Sequence, residues 1–168
     1  MKKTDEQMKK TDEQMKKTDS KIDKTDKKLN KVAKMLGGIS KNQGDITEEF
    51  FINSLADNLK IGNIQYDFID KNASRKRNGI EDEFDILLIN GKDIAIIETK
   101  YKAHEKDLEK LINKKYNNFK KLYPEYKDYN HHLGLASFYI NDDLKQSALE
   151  HNVFILQRKG KIIESFLP

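Results

Sequence analysis

Phe84-Asp85-Ile86-Leu87-Leu88-Ile89-Asn90-Gly91-Lys92-Asp93-Ile94-Ala95-Ile96-Ile97-Glu98-Thr99-Lys100 contains two apolar runs separated by an Asn-Gly pair, the pattern of a β-hairpin closed by a type I′ turn. From Ile94 to Ile97 both faces of the second strand are apolar, so it is expected at the centre of a sheet covered on both sides. The strand ends in charge. Glu98 and Lys100 are two residues apart and share a face, and Asp85 lies on the neighbouring strand. Two carboxylates that converge at a strand end repel one another unless a cation lies between them. Hard oxygen donors favour Mg²⁺ or Mn²⁺ over zinc. Such an ion activates water and stabilises charge on a phosphoryl group, and Lys100 beside it can orient or help deprotonate that water.

Working outward, Asp45-Ile46-Thr47-Glu48 has the spacing of a capping box, Asp45 as N-cap and Glu48 at N3. It opens a helix expected to run through Leu59 with Ile46, Phe50, Phe51, Ile52, Leu55 and Leu59 as its apolar residues. Ile61 to Ile69 alternates as a strand does, and the polar, basic stretch Asp70 to Gly79 is expected as a loop in which Lys71, Arg75, Lys76 and Arg77 are placed to contact phosphates. After the hairpin, Leu108, Leu111, Ile112, Tyr116, Phe119 and Leu122 recur at helical spacing ahead of Pro124. The lysines along this helix, Lys115 among them, are assigned to its exposed face. His131-His132 then precedes a strand, Leu133 to Ile140, and is expected to be solvated. A helix, Asp142 to His151, and a strand pair around Lys159-Gly160 complete the chain. A strand, a long helix and another strand require a right-handed crossover, whereas the preceding hairpin is antiparallel. The expected fold is therefore α/β, with a mixed sheet flanked by helices.

The first 36 residues differ in kind. Met1 to Gln7 recurs as Met8 to Gln14 and, more loosely, from Met15 onward, a period of seven. With Met1 at heptad position a, Met8, Met15, Ile22, Leu29 and Leu36 occupy a, and Thr4, Thr11, Thr18, Thr25, Val32 and Ile39 occupy d. In a parallel pair Lys21 would face Asp26. A coiled-coil helix over 1–36 that assembles a homo-oligomer is expected, with a linker over 37–43 around Gly37-Gly38 and the globular domain over 44–168. Every Phe and Tyr lies beyond Glu49, so the core belongs to this second part.

Composition limits the function. The 168 residues carry 32 basic and 28 acidic side chains, a net charge of +4, which admits a nucleic-acid partner without requiring one. With no cysteine there is no thiolate metal site and no cysteine nucleophile. No segment approaches the roughly 20 apolar residues that span a bilayer, and a cytoplasmic protein with no membrane partner is expected.

Asp85, twelve intervening residues and then Glu98-Thr99-Lys100 resembles the signature of the PD-(D/E)XK nuclease superfamily, and the likeness extends from Gly44 to Phe166. The chain is also similar to uncharacterised prokaryotic members fused to coiled coils. The resemblance implies a restriction-endonuclease-like sheet and Mg²⁺- or Mn²⁺-dependent hydrolysis of DNA phosphodiesters, with Asp85 and Glu98 as metal ligands and Lys100 as the water-activating residue. Gly44-Asp45-Ile46-Thr47-Glu48-Glu49 is similar to the start of the first helix in archaeal Holliday-junction resolvases, which implies Glu48, with Glu49 second, as a further catalytic ligand. The sequence departs from the pattern at Phe84, where the family name has Pro. The competing expectation is a non-catalytic protein that assembles through its heptads and binds nucleic acid or a partner through a nuclease-like domain.

Overall fold

A computed structural model describes residues 42–168; the expected coiled coil lies outside the described residues. Gln43–Pro168 forms one compact unit around a six-stranded sheet whose strands, from Phe68 onward, lie side by side in the order in which they occur along the chain. The elements are helix α1 (42–57), the short hairpin β1 (Lys60–Ile61) and β2 (Ile64–Gln65), and strands β3 (Phe68–Arg77), β4 (Ile80–Ile89) and β5 (Asp93–Lys102). There follow α2 (Glu105–Lys110), a π-helical turn (Leu111–Lys115), α3 (Tyr116–Leu122), β6 (Asn130–Tyr139), α4 (Asp142–Glu150), β7 (Val153–Lys159) and β8 (Ile162–Phe166). The β5–β6 and β6–β7 pairs are parallel and the others antiparallel, so the sheet is mixed, as expected.

Helices cover both faces. Phe51 and Leu55 of α1 pack on Ile86, Leu88, Ala95, Ile97, Phe154 and Leu156. Leu108, Leu111, Phe119 and Leu122 of the crossover, with Leu144 and Ala148 of α4, pack on Leu87, Ile94, Ile96, Leu135 and Ile155. β5 is buried continuously from Asp93 to Thr99, and each fully buried isoleucine in it contributes roughly 1.5–3 kcal/mol. Gly134 is required by close approach, because a Cβ there would lie 2.2 Å from the ring of Phe154. No helix among the described residues is long and apolar enough to cross a membrane.

Four local expectations are corrected. The chain is already helical at 42, and Thr47 donates its hydroxyl to the Gln43 carbonyl (2.6 Å), so Asp45 lies inside α1 and the capping box with Glu48 does not form. The helix ends at 57, and Ile46 is 56% exposed while Thr47 is buried in its place. The single strand expected over Ile61 to Ile69 is broken at Gly62, whose φ of +60° makes a tight turn. The basic stretch expected as a loop is β3, an edge strand whose charges suit an open edge.

The turns exchange roles as well. Asn78 and Gly79, both at positive φ (52° and 79°), form the two-residue β3–β4 turn. Asn90-Gly91 has no positive φ. There Asn90 Oδ1 accepts from the amides of Lys92 (2.8 Å) and Asp93 (2.5 Å), an Asx-type loop instead of the expected type I′ turn.

β4 reverses its faces at Asp85. Ile86 and Leu88 point toward α1, yet Phe84 and Ile80, which simple alternation would place with them, pack under the crossover helix. β3 does the same, Ile69 facing one way and Ala73 the other. Asn72 lies between these two residues at φ +51°, opposite Asp85 in a register that pairs Lys71 with Ile86 and Ala73 with Phe84. Asparagine tolerates this left-handed conformation better than most residues.

Candidate functional site

The β4–β5 ladder runs from Ile89↔Ile94 to Ile86↔Ile97 and stops. Beyond it β4 continues against β3, and β5 continues against β6 as far as Lys102↔Tyr139. Asp85 and Glu98 occupy the fork where the strands part. Asp85 Oδ2 accepts hydrogen bonds from the Thr99 amide (2.9 Å) and hydroxyl (3.1 Å), replacing the partner that the ladder no longer supplies.

Glu98 shares a face with Ile94 and Ile96 and is only 8% exposed. Burial, and then the negative charge of Asp85, push its carboxyl up to about 8 from an ordinary 4.5, against the pull of Lys115 and Lys100. Its Oε1 is buried without a hydrogen-bond partner. Glu48 of α1, on the 48-51-52-55 stripe that faces the sheet, approaches Asp85 from the sheet face opposite to that of Glu98. Burial raises its pKa too, with Asp85 the next cause, and its Oε1 is likewise buried and unpaired. Glu49 is exposed. Both residues line a recess of 360 Å³ with Asp45, Asn53, Lys71 and Asn72.

Lysines complete the fork. Lys115, at the end of the π-helical turn, has a side chain only 13% exposed, pairs with Asp82 Oδ1 at 2.7 Å and lies 3.9 Å from Glu98 Oε1. It also donates to the Glu83 carbonyl, while Asn118 holds the other oxygen of Asp82 at 2.9 Å. Burial works against its charge, and the bond to Asp82 with the charge of Glu98 outweighs it, so its pKa is raised. Lys100 is more open, with its side chain 44% exposed and 3.9 Å from Asp107 Oδ1. Glu98, Lys100, Asp107 and Lys115 line a small recess of 20 Å³.

Asp85 is coupled electrostatically to Glu48 on one side and to Glu98 on the other, and the two orphaned oxygens are hard donors of the kind that Mg²⁺ or Mn²⁺ takes. Among the described residues, however, no three such side chains converge closely enough to hold a metal ion.

Of the four basic residues expected at phosphates, Lys71 borders the acidic recess, and Lys76 and Arg77 are exposed near the tip of the hairpin. Arg75 is engaged elsewhere. It binds both oxygens of Glu125 (2.6 and 2.9 Å) and the Leu122 carbonyl (2.9 Å), and lies 3.9 Å over the Tyr123 ring, clamping β3 to the end of α3. The histidines are corrected as well, since both lie in β6 and are hydrogen-bonded to residues of other elements. His131 joins the Tyr116 hydroxyl (3.0 Å) and the Tyr126 carbonyl (2.6 Å). His132 meets the buried carboxylate of Asp93 at 3.0 Å. Sequence reasoning missed Lys115, Asp82, Asn118 and Asn72. The signal for Lys115 was present: it interrupts the buried stripe Leu108-Leu111-Phe119-Leu122, where a lysine needs a buried partner.

No family model and no curated protein matches the chain. Among solved structures it is similar to the crystal structure of an fdxN element excision controlling factor protein from Anabaena variabilis. The two are 16% identical with a TM-score of 0.48, over 74% of this chain and 99% of that one. That likeness is too distant to carry chemistry from one chain to the other.

Proposed function

We propose that this protein is a metal-dependent DNA endonuclease of the PD-(D/E)XK type, and the observation that supports it most is the buried Glu98 carboxyl, its Oε1 without a hydrogen-bond partner, facing Asp85 at the strand fork. Asp85 and Glu98, with Glu48 as a third donor, would hold Mg²⁺ or Mn²⁺, which when bound supplies Lewis acidity toward the phosphoryl oxygen and the water. The chain's own residues do the rest. Asp85 is fixed by its two bonds from Thr99, so the carboxylate that faces the phosphate is oriented before substrate arrives. Lys100, partly exposed at the mouth of the fork, orients the attacking water and lends positive charge to the developing phosphorane. Lys115 balances the negative charge from below. Lys71, Lys76 and Arg77 are free to meet the DNA backbone, and the heptads would assemble a homo-oligomer that places two forks on one duplex.

The test is plasmid nicking, and cleavage of single-stranded, duplex, flap and junction DNA, with Mn²⁺. Asp85→Ala, Glu98→Ala and Lys100→Ala should each abolish cleavage. Wild-type activity no higher than that of Lys100→Ala on every substrate overturns the reading. The competing reading, a non-catalytic nucleic-acid-binding or partner-binding domain, draws on Lys100 lying close to Asp107. Titration calorimetry separates the two: Mn²⁺ binding that is lost in Asp85→Ala supports the enzyme, and no metal binding supports the binding module.

A further inference from the structure

Past the fork, the parallel strands end in a cluster of rings. Tyr101 follows Glu98 by three residues on β5, which at about 3.3 Å per residue places its backbone roughly 10 Å further along the strand. Its ring lies 5.2 Å from that of Tyr139 and 5.8 Å from that of Phe138, both on β6. Phe138 meets Phe50 of α1 edge-on at 5.4 Å. Arg158 of β7 spreads its guanidinium 4.6 Å over Phe138 and 5.0 Å over Phe50. Phe138 is 9% exposed and forms the floor, whereas Tyr139 is 56% exposed and forms the outer surface.

Packing does not explain Tyr139. A side chain more than half in water contributes little to a core, yet here it extends an aromatic floor that is already complete without it. The surroundings narrow what could cover it. Lys100, Lys102, Arg158 and Lys159, all exposed, carry positive charge on the ends of β5 and β7. An occupant of flat apolar groups joined by negative charges fits both features, and an unpaired nucleic-acid strand has that constitution: each base offers a π-face to an aromatic ring and each linkage a phosphate to a cation. Bases in a duplex are stacked on one another and offer no such face away from the helix ends.

We propose that Tyr101, Tyr139 and Arg158 form a stacking platform for unpaired nucleotides, so that the substrate presented to the fork is single-stranded or frayed DNA. The assignment of a substrate rests on the nuclease reading of the fork; binding to the platform does not. The platform would hold the strand beyond the scissile phosphate, with the bases over Tyr139 and the phosphates along Lys100 and Lys102.

The test is fluorescence anisotropy of the full chain in EDTA, so that nothing is cleaved, with labelled oligo-dT and a blunt duplex of equal length. Tyr139→Ala should weaken oligo-dT binding by at least about fivefold and leave the duplex within about twofold of wild type, while Tyr139→Phe binds both as wild type does. Tyr139 is exposed, and an unchanged melting temperature shows that the variant folds. The platform is refuted if wild type does not bind oligo-dT, if Tyr139→Ala binds it as tightly as wild type, or if the variant loses strand and duplex equally. Nicking by the same preparations separates the two claims. Tyr139-dependent strand binding without metal-dependent cleavage leaves the platform standing and removes the nuclease, whereas cleavage lost in Lys100→Ala but strand binding unaffected by Tyr139→Ala does the reverse.

Discussion

Replacing Glu98 by Gln should stabilise the protein in alkaline solution and do almost nothing in acid. The folded carboxyl keeps its proton up to about pH 8 because it is buried and faces Asp85, whereas in the unfolded chain it ionises near 4.5. Between those values the unfolded state binds fewer protons than the native state, so the contribution of Glu98 to wild-type stability is intact below about pH 4.5, falls as pH rises through this window and is fully lost above about 8. At 1.36 kcal/mol per unit the whole shift corresponds to about 5 kcal/mol. Lys115 lies 3.9 Å away and can move closer to the charge, so roughly 2–4 kcal/mol is expected in practice, on the order of 10 °C in melting temperature for a domain of this size. The assay is thermal unfolding of the full chain, wild type and Glu98→Gln, in EDTA at about pH 5, 7 and 9. The variant should lead by most at the highest pH and the two should converge at the lowest. A gap that does not vary with pH, or a wild type that is the more stable at about pH 9, refutes the argument from burial and repulsion. Adding Mn²⁺ should reverse the ranking, because the cation supplies the charge that the fork lacks.

The Lys115–Asp82 pair gives a second expectation. Both side chains are nearly buried, and a buried pair broken from one side costs about 3–5 kcal/mol. Asp82 keeps its bonds from Asn118 and the Glu83 amide, so Lys115→Met should cost nearer about 2 kcal/mol in urea unfolding. Asp82→Asn combined with it should recover part of that loss, and strictly additive costs would show that the two do not act as a pair. For the heptads, light scattering of the chain with and without residues 1–36 should show a fall in assembly mass, and an unchanged monomer would remove the coiled coil.

The apolar hairpin and the crossover were legible because their signals are long and periodic: Ile94 to Ile97 could only be a covered strand, and Leu108 to Leu122 only one face of a helix. β3 was not, because an edge strand hides its alternation under charge. Its hairpin still announced itself through Asn78-Gly79, which has the same Asn-Gly signal as Asn90-Gly91 and the positive φ angles that the latter lacks. In the site, Asp85 and Glu98 were visible as charges ending apolar strands. The face reversal at Asp85 was not, because it depends on Asn72, a residue on another strand whose conformation no local pattern in β4 encodes. Glu48 was read as a cap on a helix that in fact begins earlier, and Lys115 was assigned to solvent although it interrupts a buried stripe.

The central position of β5 also matters before the protein is finished. Its pairing with β4 can form as soon as the hairpin leaves the ribosome, but its other edge waits for β6, which begins at Asn130 beyond the whole crossover. During that interval a strand apolar on both faces presents an open edge, the geometry that recruits other nascent chains. Asp93 at one end and Glu98, Lys100 and Lys102 at the other bracket the apolar run with charge, as gatekeeper residues do beside an unavoidable hydrophobic strand. The carboxylates and lysines of the fork would thus serve a second time during synthesis, by keeping nascent chains apart. The alanine variants at the fork should therefore be read beside Glu98→Gln, which keeps a polar side chain at the strand end and separates lost chemistry from aggregation.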